Sequence, residues 1–149
     1  MDIDDTDIII LKELQEDFTT SYRDIAKKLN LSVGTVHNRV KKLKEIGVIK
    51  SFSAILDAEK LGFELTAILL MQVEGGDIIE VERSIAKSRS VMAVYDTTGE
   101  FDIIAIAKFR SRDELNSFIK ETLKMGSIKR TVTSIALNVV KEENRLNLR

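Results

Sequence analysis

Ile3, Ile8, Leu11, Leu14 and Phe18 recur at spacings of three to five residues, with Ile9 and Ile10 widening the stripe. This period predicts an amphipathic helix from near Asp4 to near Asp17. Asp2, Asp4, Asp5 and Asp7 crowd its start, where carboxylates cap orphan amides and oppose the positive end of the helix dipole. Ser21-Tyr22-Arg23-Asp24 then fits the serine-x-x-acid cap that opens a helix. A short helix follows through Ile25, Ala26 and Leu29 and breaks at Asn30, a residue that tolerates left-handed geometry. Leu31 bridges to Ser32, which caps a third helix carrying Val33, Val36, Val40, Leu43 and Ile46 inward and stopping at Gly47. Its outward positions are Gly34, Thr35, His37, Asn38, Arg39, Lys41, Lys42 and Glu45. A short helix, a tight turn and a longer polar-faced helix make a helix-turn-helix pattern.

Val48 to Asp57 alternates loosely around Phe52 and Ile55, as an extended connector does, and Ala58 to Leu61 predicts one helical turn before Gly62. Leu65 to Glu74 is a nearly continuous apolar run rich in branched residues and closed by Gly75-Gly76, the signature of a central strand. Asp77 is placed to cap a helix with Ile78, Val81 and Ile85 inward. Val91 to Thr98 and Phe101 to Phe109 predict two strands meeting in a hairpin at Gly99-Glu100. Ser111 caps a further helix, with Glu114 at the capping-box position and Leu115, Phe118, Ile119 and Leu123 inward. Ile128 to Val140 reads as the last strand. Strand, helix, strand, strand, helix, strand is the ferredoxin-like order. The expected fold class is therefore α+β. A helix-turn-helix domain over 1–50 is joined by an extended linker over 51–62 to a ferredoxin-like βαββαβ domain over 63–149.

Composition removes several functions. The 149 residues are 44% hydrophobic and 32% charged, so the chain can bury a core and keep a solvated surface. There is no cysteine and one histidine, His37. Disulfides, thiolate nucleophiles and cysteine metal sites drop out together, and histidine general-base chemistry has a single candidate. No catalytic residue, metal or cofactor is expected. The richest apolar stretch, Leu65 to Val73, is too short to span a bilayer, and the acidic start lacks a secretory signal's basic and apolar regions. A cytoplasmic protein without a membrane partner is expected.

The net charge of -1 conceals an alternation. Between Ser21 and Lys50 stand Arg23, Lys27, Lys28, Arg39, Lys41, Lys42, Lys44 and Lys50 against Asp24 and Glu45, a local charge of +6. The first twenty residues carry seven acids against Lys12, a charge of -6. A basic second and third helix beside an acidic first one points to double-stranded DNA as partner. Ser32, Thr35, His37, Asn38 and Arg39 can reach base edges, Asn38 suiting adenine and Arg39 suiting guanine by bidentate pairing. Lys41, Lys42 and Lys44 are better placed to hold phosphates, which position a helix without reading sequence. A lysine run alone is only a solvated face; the short helix and tight turn before it turn the balance to DNA.

The stretch Ile25-Ala26-Lys27-Lys28-Leu29-Asn30-Leu31-Ser32, followed by Val36, Arg39-Val40, Leu43 and Gly47-Val48-Ile49, resembles the leucine-responsive and asparagine regulators of the Lrp/AsnC, or feast/famine, family. Asp5 to Leu14, Ala54 to Gly62, Thr98-Gly99-Glu100-Phe101-Asp102 and Val132-Thr133 extend the likeness along the whole chain. The resemblance implies a sequence-specific transcription regulator that assembles as a homodimer and further into tetramers or octamers through the second domain. Many such proteins respond to amino acids, so an effector, if one is bound, is expected to be an amino acid near the hairpin. By similarity Gly99 and Asp102, and with them Thr98, Thr131 and Thr133, are the effector candidates. A glycine lets backbone approach a ligand, and a carboxylate holds an ammonium group, although a hairpin glycine is also ordinary turn chemistry. Three alternatives remain: an architectural DNA-binding protein without an effector, an enzyme like the siroheme decarboxylases, and an assembly module whose helix-turn-helix binds protein rather than DNA, which the basic third helix disfavours. The second is disfavoured because the one histidine lies on the third helix.

Overall fold

The computed structural model describes residues 3–17 and 19–148, so Asp2 and Phe18 of the first helix's pattern lie outside the described residues. The chain divides into two compact units, Met1–Ile55 with Glu143–Arg149, and Leu56–Glu142.

The first unit holds three helices, α1 (Asp5–Glu16), α2 (Tyr22–Leu29) and α3 (Val33–Glu45). Each begins at a capping side chain. Asp4 accepts from the Asp7 amide and Asp7 accepts from the Asp4 amide, while Ser21 and Ser32 accept from the amides of Asp24 and Thr35. Asn30 ends α2 in the left-handed region at φ 53°. That sharp exit lets α3 follow after two residues. The three helices pack Ile10, Leu14, Ile25, Ala26, Val36 and Val40 into one core.

Two positions depart from the expected stripes. The buried line of α1 is Asp7, Ile10 and Leu14, and Ile9 is exposed. A carboxylate on the buried line hides the true phase from any apolar count. Val33, expected inward, is 45% exposed, because it sits in the first turn of α3, before the packed positions begin at Val36. Within this unit the Gln15 amide group donates to the Leu146 carbonyl and accepts from its amide at 3.0 and 2.9 Å.

The second unit is an antiparallel sheet of β1 (Leu65–Val73), β2 (Val91–Asp96), β3 (Ile103–Phe109) and β4 (Ile128–Ile135) in the order β2-β3-β1-β4, with helices α4 (Ile78–Ala86) and α5 (Arg112–Leu123). Ala67, Leu69 and Met71 of β1 and Ile103, Ala105, Ala107 and Phe109 of β3 bury their side chains against Val81, Ile85, Leu115 and Phe118 of the helices. Alternate positions face away from them, so Ile68, Leu70, Ile104, Ile106 and Val132 form a half-buried apolar second face. Lys108, buried on that face, is held by Glu142 at 2.8 Å and Thr66 Oγ1 at 3.3 Å.

Four details correct the sequence reading. The last strand stops at Ile135 rather than Val140, because its partner β1 begins at Leu65 and the Ala136 amide makes the final ladder bond, to Thr66. Asp77 makes no cap bond; its carboxylate accepts from the Ser127 hydroxyl at 2.7 Å instead. Glu114 accepts from the Arg110 amide at 2.8 Å instead of closing back on Ser111. Leu123 is exposed, and Thr122 takes the inward place by donating its hydroxyl to the Phe118 carbonyl at 2.8 Å.

Candidate nucleic-acid interface and effector loop

Val36, Val40 and Leu43 anchor α3 in the core, which leaves the opposite side of the helix in solvent. His37, Asn38, Lys41 and Lys42 are exposed there, with Thr35 half-buried at the edge. The side chains of Asn38 and Lys42 make no hydrogen bond or ion pair with described residues, so their polar ends are available. Lys41 lies 3.8 Å from Glu45, and Lys44 stands 4.7 Å above the Phe52 ring. His37 meets the Tyr22 ring edge-on at 6.1 Å between centroids, tying α3 to α2. Ser32 is occupied at the helix start, with its hydroxyl 2.8 Å from that of Thr35.

Arg39 has a different environment. Its Nη1 donates to Asp4 Oδ2 at 2.7 Å and to Asp7 Oδ1 at 2.9 Å. Asp4 and then Asp7 hold the guanidinium pKa above its ordinary value, and Arg39, followed by the Asp7 amide, holds the Asp4 carboxyl below its ordinary 3.8. In the sequence these acids register only as helix caps. Their i, i+3 spacing places both on one face of α1, but a partner 32 residues downstream leaves no local signal.

The Asp4 shift predicts a pH dependence. A depressed carboxyl stabilises the fold above its unfolded value and loses that contribution as pH falls through the lower folded value. The Asp4–Arg39 pair is thus expected to persist from neutrality to the ordinary 3.8 and to break only below it. Carboxyl resonances followed by NMR would check this, and an Asp4 midpoint above 3.8 would refute it.

In the second unit Thr98, Gly99 and Asp102 share the loop between β2 and β3. Gly99 adopts φ +123°, which side chains rarely adopt. Asp102 fixes the loop base: its amide donates to the Met71 carbonyl at 2.9 Å, and its Oδ2 accepts from the Val73 amide at 2.8 Å. Gln72 donates to the Glu100 carbonyl, and Arg130 reaches Glu100 Oε1 at 3.1 Å and covers the Phe101 ring. Thr131 and Thr133 are half-buried on β4, opposite Met71 and Leu69. Met71 thus links Asp102 to Thr131, whereas Thr133 sits two pairs further from the loop. The Thr131 hydroxyl is buried without a hydrogen-bond partner. Gln72 and Arg130 carry no signal of this loop contact in the sequence, although Arg130 directly precedes Thr131, and Glu100 is legible there only as part of the hairpin. Two open clefts of about 400 and 520 Å³ lie elsewhere, along α5 and α4.

Residues 3–50 match a winged helix-turn-helix DNA-binding family, and residues 66–146 match the Lrp/AsnC ligand binding domain. An uncharacterized HTH-type transcriptional regulator of Pyrococcus furiosus is 53% identical over 146 residues, covering 98% of this chain and 99% of that protein. The HTH-type transcriptional regulator FL11 of Pyrococcus abyssi is 36% identical over 99% of this chain and 97% of its own length. Among solved structures, E. coli AsnC superposes with a TM-score of 0.88 at 26% identity, over 97% of this chain and 99% of that one. A Neisseria meningitidis transcriptional regulator in complex with L-Met gives 0.87 at 26% identity, over 99% and 97%.

A helix-turn-helix with an open basic face, followed in the same chain by a ferredoxin-like ligand-binding domain, defines a DNA-binding transcription regulator. The chain belongs to the Lrp/AsnC family.

Proposed function

We propose that this regulator binds palindromic duplex sites as a dimer or a larger assembly of itself, placing two copies of α3 in successive major grooves about one helical turn apart. The observation that carries this reading is the outer face of α3, where the exposed side chains of Asn38 and Lys42 have no partner among the described residues and a buried stripe lies on the opposite side. Asn38 has the paired donor and acceptor that adenine requires, with Ser32, Thr35 and His37 as neighbouring base-edge contacts. Lys41 and Lys42 hold phosphates. Arg39, whose fork suits guanine, stands beside them but is already gripped by Asp4 and Asp7. Self-association is supported by the apolar second face of the sheet, which a second copy of that face would cover.

An amino acid is the proposed effector, at the loop of Thr98, Gly99 and Asp102 with Thr131 and Thr133 nearby. Asp102 Oδ1 remains to accept an ammonium group, and the unpartnered Thr131 hydroxyl offers a further polar contact. The L-Met complex of the Neisseria regulator supports the ligand class. The protein works in the cytoplasm without catalytic residues; no helix among the described residues is long and apolar enough to cross a membrane.

Selection of bound sequences from a random duplex pool, with and without the common amino acids, tests the proposal. A palindromic motif whose enrichment shifts with amino acids is expected. A motif indifferent to them would refute the effector, and enrichment of no motif would replace the regulator with an architectural DNA-binding protein. On the selected site, Asn38→Ala is expected to cost about 1–3 kcal/mol and relax preference at one base pair, while Lys42→Ala weakens all sequences alike and lowers the salt slope by about 1. Equal losses on every sequence for Asn38→Ala would remove it from base reading.

A further inference from the structure

We infer that Arg39 is a positioning residue, clamping α3 to the start of α1 and so setting the angle at which α3 presents Thr35, His37 and Asn38 to a groove; this rests on the DNA-binding reading above. Asp4 Oδ1 accepts from the Asp7 amide and Asp7 Oδ2 from the Asp4 amide, at 2.8 and 3.3 Å. Their two remaining oxygens, Asp4 Oδ2 and Asp7 Oδ1, both accept from Arg39 Nη1. All four carboxylate oxygens are thereby used, and one pair of acids both caps α1 and grips α3.

The burial of the partners decides against a base-reading role. The Asp7 side chain is only 5% exposed and that of Arg39 31%. Turning Arg39 toward guanine would strand a buried carboxylate, an unfavourable exchange of charge-assisted bonds for contacts to neutral acceptors. Helical geometry agrees. At about 100° per residue, Arg39 falls on the shoulder of the Val36–Val40–Leu43 stripe, whereas Asn38 and Lys41 fall opposite it. The clamp fixes the helix from its packed side.

Base-preference profiles and salt slopes of Arg39→Ala and Asp7→Asn in the full chain, taken at a temperature where circular dichroism shows each variant folded, test this. Both variants are expected to lower the ratio of selected-site to random-DNA affinity by about tenfold, the scale of one lost charge-assisted bond. The loss should spread over all base positions, with an unchanged salt slope, and the double variant should be no worse than the weaker single. Asp4→Asn, which keeps the buried acid, gives a smaller loss of the same form and serves if Asp7→Asn does not fold. Loss of preference at a single base pair in Arg39→Ala, with the Asp7→Asn profile intact, would make Arg39 a base reader. An unchanged ratio in both folded variants would reduce the clamp to a stabilising contact and equally overturn the inference. A wild-type chain that selects no motif would instead remove the sequence-specific reading on which the inference rests.

Discussion

Ile25→Ala is expected to abolish DNA binding at ordinary assay temperatures by unfolding the first unit. Ile25 is fully buried, and Ile10, Leu14, Ala26, Val36 and Val40 make up the rest of its cluster. Deleting three carbons there leaves a cavity bounded by helices whose positions the caps already fix, so the site relaxes little and the loss is about 2–5 kcal/mol. A helical unit of this size commands only about 3–5 kcal/mol in total. The substitution therefore consumes most of its stability, although Ile25 is nowhere on the outer face of α3. Ile9→Ala in α1, where the side chain is exposed, is expected to cost about 1 kcal/mol or less. Thermal unfolding by circular dichroism together with a DNA titration of each variant checks both. If Ile25→Ala bound DNA normally with a melting temperature close to wild type, the three-helix core described here would be wrong.

Where the sequence was legible, the controlling interaction was local. Ser21, Ser32 and Ser111 each bond an amide three residues ahead, so the helix starts could be read from neighbouring residues. Asn30 and Gly47 stop α2 and α3 through their own backbone preferences. The continuous apolar run of β1 announced a central strand because both its faces are apolar, one packed on α4 and α5 and the other half-buried. Where the reading departed, the partner was remote. The end of β4 is set by the first residues of β1, some seventy positions earlier in the chain, so the apolar residues Leu137, Val139 and Val140 invited an extension that no strand supports. Asp77 has the side chain of a cap, yet Ser127, fifty residues on, takes its carboxylate.

The candidate sites divide in the same way. The outer face of α3 could be listed from periodicity, since helical spacing alone separates Asn38 and Lys42 from Val36 and Val40. Periodicity sets Arg39 on the shoulder of the buried stripe but does not say what it meets there: Asp4 and Asp7 of α1 lie within 2.9 Å of its guanidinium. The hairpin at 98–102 is legible from the strand pattern, but its candidacy as an effector site comes only from the resemblance. Its order comes from Met71, Val73, Gln72 and Arg130 on two other strands, none of which signals a loop partner in its own sequence context.

Phe109→Ala is expected to have the largest effect in the second unit, about 3–5 kcal/mol. Phe109 ends β3 with its ring buried and tilted against Phe118 of α5, the centroids 5.5 Å apart. It closes the sheet–helix core at the point where the cleft of about 400 Å³ between Ser88, Ser90 and α5 reaches the two rings. Truncation would join the new cavity to that cleft and admit water onto Leu115 and Phe118, so the penalty includes exposed apolar surface as well as lost ring contact. For a unit of this length the melting temperature should fall by roughly 15 °C or more. Phe109→Leu, which keeps most of the volume, should cost about 1.5 kcal/mol or less. Scanning calorimetry of the two variants separates burial from ring chemistry. A small loss in both would mean that the cleft edge is already hydrated and that Leu115 and Phe118 hold α5 without Phe109, whereas a large loss in both would make the Phe109–Phe118 ring contact the main fastening of α5 to the sheet.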